Sequence, residues 1–393
     1  MFDDFKISSV THTQITKASG DAYNTVITPD DFTTALGEIT AWQGYAATPL
    51  YHLTCLSKSL NLKDILYKDE GPRFGLGSFK ALGGAYAGLR ILQRELGKRL
   101  GKSVTMADIR AGVYADDVAK ITLASATDGN HGRSLAWGAG RFGAPCQIYI
   151  HRDVSEGRAQ AMRDLGAIVT RVEGDYDASV GDARRDAKAN GWFVVSDTSW
   201  DGYSQPPRDV MAGYGVMVHE IVSALDTPPS HVFLQGGVGG LAAAVIAGLR
   251  QHWGNQAPRV VVVEPELAAC LFESAKAGVA TNVTIAEETL MAGLSCGEPS
   301  PLAWKILREE AQDFLAIPET IVAPAMRLAG RPLGDDPSIV AGESAVAGFA
   351  AVIVGASQDG LREKLGLNEA SKVLVIGSEG ATDAQIYAQL MAG

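Results

Sequence analysis

The sequence predicts an α/β fold made of two open, twisted, mainly parallel sheets flanked by helices. Two observations carry this. Short apolar runs rich in β-branched residues alternate with stretches of helical period, first from Ile121 to Asp197 and again from His231 to Gly377. Such alternation marks βαβ units whose sheets are covered on both faces. After four of these strands the chain turns to Gly, Asp, Ser and Asn, and open α/β sheets collect their ligands at the carboxyl ends of strands.

Taken in order, ITLAS (121–125) reads as a buried strand, HGRSLAWGAGRFG (131–143) as a helix and CQIYIH (146–151) as a strand. A helix over EGRAQAMRDLG (156–166), a strand over AIVTRV (167–172), a helix over DASVGDARRDAKANG (177–191) and a strand over WFVVSD (192–197) follow. The pattern resumes with strand HVFLQ (231–235), a helix from about Leu241, strand RVVVVE (259–264), a helix around 267–277 and strand KVLVIG (372–377). Between 280 and 345 prolines and glycines interrupt the signal. The four loops ATDGNHG, DTSWDGY, GGVGG and GSEGATD each follow a strand and are expected to form one site.

Bulk properties narrow the function. A chain of 393 residues, 46% hydrophobic and 20% charged, has the composition of an ordinary globular protein. A formal net charge of -11 argues against a nucleic-acid partner, which needs basic surface. The start MFDDFKISSVTHTQ lacks a basic region followed by an apolar core, and no apolar run reaches membrane-spanning length. Cys55, Cys146, Cys270 and Cys296 are far apart with no metal-ligand spacing, and the seven histidines do not cluster. The expectation is a cytoplasmic protein with reduced thiols, no membrane contact and no metal.

Gly236, Gly237, Val238, Gly239 and Gly240 stand between a strand and the helix LAAAVIAGLRQHW. Glycines let backbone approach an anion, and a helix start offers free N–H groups and the positive end of its dipole. This reads as a phosphate cup. The same residues, with Leu241 and Ala242, also fit a relaxed GxGxxA dinucleotide pattern, and Glu264 ends the next strand where a ribose-binding acid would stand. Lys80, between Phe79 and Ala81 in SFKALGGAYAGL, adds a second clue. Alone it is a lysine whose stem packs while its amine reaches water. In an apolar pocket its pKa would fall and its amine would become a nucleophile able to form an imine. A phosphate cup together with such a lysine points to pyridoxal phosphate, which carries both a phosphate and an aldehyde.

The blocks SFKALGGAYAGL, ATDGNHGRSLAWGAGRFG, GGVGG followed by VEPE, MAGLSCGEPS and GSEGATD resemble those of the fold-type II pyridoxal phosphate enzymes, in the family's order from Gly44 to Asp383. The SFK and GNHG blocks are shared with threonine dehydratases. TDGNHGR, DTSWDGY and MAGLSCGEP are more similar to the diaminopropionate ammonia-lyases. The resemblance implies a large cofactor domain from 1–83 and 203–393, a small domain from 84–202, and a homodimer. It implies α,β-elimination of ammonia from D- and L-2,3-diaminopropionate, giving pyruvate through aminoacrylate.

Roles are carried over residue by residue. Lys80 matches the imine-forming lysine, with Phe79 beside it at the cofactor. Asn130 matches the contact to the cofactor's phenolic oxygen, Gly236 to Gly240 the phosphate loop, and Ser378 the hydroxyl at the pyridine nitrogen. A hydroxyl does not hold that nitrogen protonated as a carboxylate would, which favours elimination over a long-lived carbanion. Asp128 is expected to serve as a second base on the face opposite Lys80, for the D isomer, or else to cap the following helix. Asp197 is expected to bind the substrate's β-ammonium or help it leave, or else to be a turn residue. His131 reads as a structural loop residue rather than a base, and Cys270 and Cys296 as two buried thiols, a reducible disulfide between them being the alternative. The alternatives are a serine, threonine or hydroxyaspartate dehydratase of the same fold, an NAD(P)-binding oxidoreductase, and a sensor without turnover.

Overall fold

The computed structural model describes every residue except Met1, 17–19, Asp128, Asp175 and Gly393, and of Asp177 the backbone alone. The chain divides into two compact units. The first comprises Met1–Pro29, Ala46–Phe79 and Met217–Gly393, and the second Asp30–Tyr45 and Lys80–Val216. Among the described residues no helix is long and apolar enough to cross a membrane.

The first unit is built on a seven-stranded sheet. Its strands in chain order are β1 (Thr11–Gln14), β2 (Leu50–His52), β3 (Asp64–Asp69), β8 (His231–Gln235), β9 (Arg259–Pro265), β10 (Asp313–Ile317) and β11 (Lys372–Gly377), numbered so that β4 to β7 fall in the second unit. They lie in the order β1-β10-β9-β8-β11-β3-β2. The five central strands are mutually parallel, and β1 and β2 close the edges antiparallel to β10 and β3. The apolar runs at 231–235, 259–264 and 372–377 are therefore the buried centre, flanked by helices as their composition predicts. The edge strands carry no comparable run, which is why alternation alone does not reveal them; β10 (DFLAI) lies in the interrupted stretch between 280 and 345 and β3 (DILYKD) ahead of the first alternating block. The helix Ala347–Ser357 is buried from Ala347 to Gly355 and packs on the sheet with Phe233, Val261, Val373 and Val375. Each such side chain contributes about 1.5–3 kcal/mol by leaving water.

Beneath this apolar core lies a buried ionic group. Lys68, in β3, donates to Glu220 Oε2 at 2.5 Å and to the Thr48 carbonyl at 2.8 Å. Arg73 donates to both Glu70 oxygens and both Glu220 oxygens, each at 2.8 Å, and Thr48 Oγ1 donates to Glu70 at 2.6 Å. All four charged side chains are 4% exposed or less. Two cations facing two anions, each with several partners, is the arrangement a buried charge requires.

The second unit holds a four-stranded parallel sheet. Its strands β4 (Leu123–Ala126), β5 (Cys146–Ile150), β6 (Ile168–Arg171) and β7 (Phe193–Val194) lie in the order β6-β5-β4-β7. The helices Lys80–Leu100 and Asn130–Phe142 pack closely because small residues face each other. A Cβ on Gly138 would lie 2.6 Å from the Ala85 Cα, and one on Gly84 would meet Ser134 Oγ at 2.7 Å. The run 192–197, expected to be a full strand, shrinks to Phe193–Val194. It is an edge strand whose ladder ends where a side chain takes over. The Tyr203 hydroxyl donates to the Val194 carbonyl at 2.9 Å and accepts the Ser196 N–H at 3.0 Å.

Candidate active site

In the second unit the chemistry gathers beyond the carboxyl ends of β4 and β7, which are parallel neighbours. Lys80 opens the helix Lys80–Leu100, and its ammonium is hydrogen-bonded to Asp197 Oδ2. The structure thus corrects one expectation: Lys80 meets a carboxylate rather than an apolar pocket, and both side chains keep about 20% exposure. Burial is the largest influence on Asp197 and works against its charge, but the Lys80 ammonium, the nearby His131 and the hydrogen bonds from Lys80 and the backbone together outweigh it and hold the carboxyl far below the usual carboxylate range. Asn130 is the first residue of the helix Asn130–Phe142. Asp128, two residues earlier, lies outside the described residues.

His131, a loop residue by its sequence context, sits buried in the first helical turn with its ring fixed. Its Nε2 is 2.9 Å from the Val195 carbonyl, which can only accept, so Nε2 carries the proton. Burial pushes its pKa down and keeps the imidazole neutral, which leaves Nδ1 as a buried acceptor with no hydrogen-bond partner among the described residues. The charges of both Asp197 and Lys80 act on this ring.

The first unit carries the glycine loop. It leaves β8 at Gly236, whose N–H is bonded to the Val263 carbonyl at 2.8 Å. Gly237 and Gly239 have φ of 62° and 93°, which bulkier residues adopt only under strain. The helix Gly240–Trp253 follows, and its first internal bond runs from the Ala243 N–H to the Gly239 carbonyl at 2.9 Å. The N–H groups of Gly240, Leu241 and Ala242 therefore precede the helical ladder and are open to an anion. Beside this loop, β11 runs parallel to β8 and ends at Gly377, so Ser378 follows a neighbouring strand in the same direction. Ser378 is 4% exposed, and its carbonyl accepts the Phe79 N–H at 3.0 Å. Two further main-chain bonds, Glu70 N–H to Gly377 O at 2.8 Å and Gly380 N–H to Gly77 O at 2.9 Å, clamp residues 70–79 against residues 377–380.

Glu264 is fully buried, and its two oxygens accept the N–H groups of Leu271 at 3.1 Å and Phe272 at 2.7 Å, at the start of the helix Cys270–Ala277. Burial pushes its carboxyl up to about 8. An acid engaged in this way is not offered to a ribose. It also explains Gly236, where a Cβ would lie 2.4 Å from the Glu264 Cγ. Cys270 and Cys296 are both free thiols here.

The family model described as pyridoxal-phosphate dependent enzyme matches residues 41–379. The chain belongs to that family. The cofactor of these pyridoxal-phosphate dependent enzymes fits the residues described, because positive-φ glycines and unbonded helix-start N–H groups suit its phosphate and Lys80 supplies the amine. The NAD(P) alternative falls with the family match and the inward-turned Glu264. Among relatives, the chain is 38% identical over 354 residues to diaminopropionate ammonia-lyase from Escherichia coli K12, covering 88% of each chain. It is 35% identical over 357 residues to the diaminopropionate ammonia-lyase of Salmonella typhimurium LT2, again covering 88% of each. The crystal structure of the holo Escherichia coli diaminopropionate ammonia lyase superposes with a TM-score of 0.88 at 34% identity, over 98% of this chain and 97% of that one.

In the sequence Lys80 stands out through its apolar neighbours and the glycine loop through its place between a strand and a helix, whereas Asn130, Asp197 and Ser378, in loops after strands, are assigned through the family resemblance. Sequence reasoning missed that Asp197 is the partner of Lys80, and it missed the cap made by Glu264. An acid at a strand end signals polarity but not the direction it faces.

Proposed function

We propose that this enzyme eliminates ammonia from 2,3-diaminopropionate, of either configuration, giving pyruvate and two molecules of ammonia. The observation that carries the reading is the Lys80–Asp197 ion pair, in a chain similar over 88% of its length to enzymes of that activity. The seven-stranded unit serves as the cofactor domain and the unit with four strands as the smaller one. When bound, pyridoxal phosphate supplies an electron sink for the pair left at the substrate α-carbon.

The chain's own residues do the rest. The loop Gly236 to Gly240 holds the phosphate through main-chain N–H groups other than those of Gly236 and Gly239, which are bonded to the Val263 and Gly236 carbonyls, and Asn130, Phe79 and Ser378 orient the ring. Lys80, once neutral, removes the α-proton of one enantiomer, and Asp128 that of the other. Loss of charge on Lys80 leaves Asp197 an ionised carboxylate in need of a cation. A β-ammonium group supplies that cation, whereas a β-hydroxyl does not, which favours diaminopropionate over serine. The β-nitrogen then leaves as neutral ammonia, keeping its three protons and taking the electrons of the Cβ–N bond, while Asp197 stays ionised. The released 2-aminoacrylate takes up water to form pyruvate and the second ammonia.

The enzyme is further read as a homodimer, by the same resemblance, and as cytoplasmic, supported by its four unbridged thiols. Keto-acid release from L- and D-diaminopropionate, beside L- and D-serine and L-threonine, tests the reaction. Turnover of both diaminopropionate enantiomers is expected. Silence on both, with turnover of a hydroxy amino acid, makes the enzyme a dehydratase.

A further inference from the structure

The second unit contains a groove to which the elimination assigns no role. It lies between the helices Lys80–Leu100 and Tyr176–Asn190 beside the edge strand β7, with a volume of about 490 Å³. That is within the range of small-molecule sites. Two features of its lining are unusual for the surface of a chain with net charge -11.

The first is charge. Arg184 and Lys188 stand one turn apart on the same helix face and both line the groove. Among the described residues neither is in an ion pair, whereas the groove's other charged residues are: Arg94 pairs with Asp209 at 2.7 Å and Glu95 with Arg99 at 2.8 Å. Like charges at this spacing repel, so the pair is better placed with an anion than without one.

The second is aromatic surface. Trp192, Phe193, Trp200 and Tyr203 line the same groove and none is fully buried. Trp200 and Tyr203 are stacked, 3.8 Å between ring centres and 6° from parallel. The Arg184 guanidinium lies 3.8 Å from the centre of the Trp200 ring. Two groups at that distance do not fit on one face, so Trp200 is held between Tyr203 and Arg184.

We propose that this groove binds a small planar aromatic anion, its acidic group between Arg184 and Lys188 and its ring against the Trp192 indole and the edge of Trp200. Cations recognise the acid, and the Trp192 indole together with the guanidinium face turned away from Trp200 recognises the ring. Both an aromatic carboxylate and an aromatic phosphate have this chemistry. Occupancy is transmitted to the site, because the stack continues into the loop that carries Asp197. Trp200 and Tyr203 are bridged through their main chains, and the Tyr203 hydroxyl holds the Val194 carbonyl and the Ser196 N–H, the latter one residue before Asp197.

Calorimetric titration of the holoenzyme tests the proposal without any substrate, so it stands apart from the assigned reaction. The probes are indole-3-carboxylate and phenyl phosphate as aromatic carboxylate and phosphate, with acetate and inorganic phosphate as the same acids without the ring. At least one aromatic probe should bind at least about tenfold more tightly than its ringless counterpart, and the probe that does so identifies the acid. The variant Arg184→Glu/Lys188→Glu should weaken that binding at least about tenfold while its far-ultraviolet circular dichroism and visible cofactor band stay as in the parent. Lys188→Gln, at an exposed helix position, gives the same reading if the double variant does not fold. No saturable heat with either aromatic probe overturns the proposal, as does equal binding of the ringless acids or undiminished binding in the variants. A saturating aromatic probe should also change the rate of keto-acid release, and an unchanged rate removes the link to Asp197.

Discussion

The main-chain carbonyl of Ser378 accepts the N–H of Phe79 at 3.0 Å, and Phe79 is the residue immediately before Lys80. The residue assigned to the cofactor's ring nitrogen and the residue preceding the reactive amine are therefore joined by one hydrogen bond between backbones. Substituting either side chain leaves this bond in place, so point variants of Lys80 and Ser378 report on chemistry more than on folding.

Lys80→Ala is expected to lose the visible absorption of the bound cofactor's lysine adduct and to lower turnover by about a thousandfold or more. Its far-ultraviolet circular dichroism should match the parent's. A visible band that survives extensive dialysis of the variant would show that another amine holds the cofactor.

Asp197→Asn removes the partner of Lys80. Because Asp197 ionises far below the usual carboxylate range, it is charged throughout any assay above about pH 5, and an acid limb of the activity profile there comes from another group. The sign for stability follows from the same shift. A depressed folded value contributes stability that is present above the ordinary carboxylate value of about 4 and is lost as the pH falls toward the folded one. The parent's thermal midpoint should therefore fall more steeply than the variant's below pH 4. Turnover of diaminopropionate should drop by about a hundredfold or more, and a variant with parental activity would remove Asp197 from the site.

Glu264 gives the opposite sign. Its folded value of about 8 lies above the ordinary one because of burial. Stability is then greatest below about pH 4.5 and declines as the pH rises toward 8, while the unfolded chain ionises and the folded chain keeps its proton. Glu264→Gln is neutral throughout, and its amide meets one of the two N–H donors badly, costing about 1–3 kcal/mol. The difference in thermal midpoint between parent and variant should be larger at pH 5 than at pH 8. A constant difference would mean that Glu264 is ionised in the fold.

The buried group around Arg73 should be brittle. Arg73→Met leaves Glu70 and Glu220 facing each other with only Lys68 to balance them, at a cost of about 3–5 kcal/mol. A denaturation midpoint within error of the parent's would show that water reaches the site.

Asp128→Asn is expected to impair turnover of D-diaminopropionate more than that of the L isomer, as a base on one face predicts. Equal losses for the two would remove the two-base scheme.

How far the sequence could be read depends on how far each feature is local. The runs at 231–235 and 372–377 become β8 and β11 with the bounds their composition predicts, because a central parallel strand is apolar on both faces. The helix of Gly240–Trp253 begins where its glycines permit. By contrast β1 and β2, THTQ and LYH, are half-exposed edges whose pairing is decided by distant strands. The partnership of Lys80 with Asp197 spans 117 positions and that of Arg73 with Glu220 spans 147, and no local pattern encodes either. Glu264 was visible as an acid at a strand end, but its engagement with Leu271 and Phe272 depends on a turn whose geometry composition does not specify.

The clamp between residues 70–79 and 377–380 sets a rule for how such a chain can change over generations. Three main-chain bonds fix the number of residues from Glu70 to Phe79 as firmly as their identities. One inserted residue adds about 3.8 Å of chain between bonds whose partners at 377–380 keep their places, so at least one of the three is lost even if every side chain is retained. Length variation belongs at exposed turns such as that at Gly101, where an added Cβ meets nothing within 4 Å. The stretch before the reactive lysine therefore tolerates substitution far better than insertion or deletion.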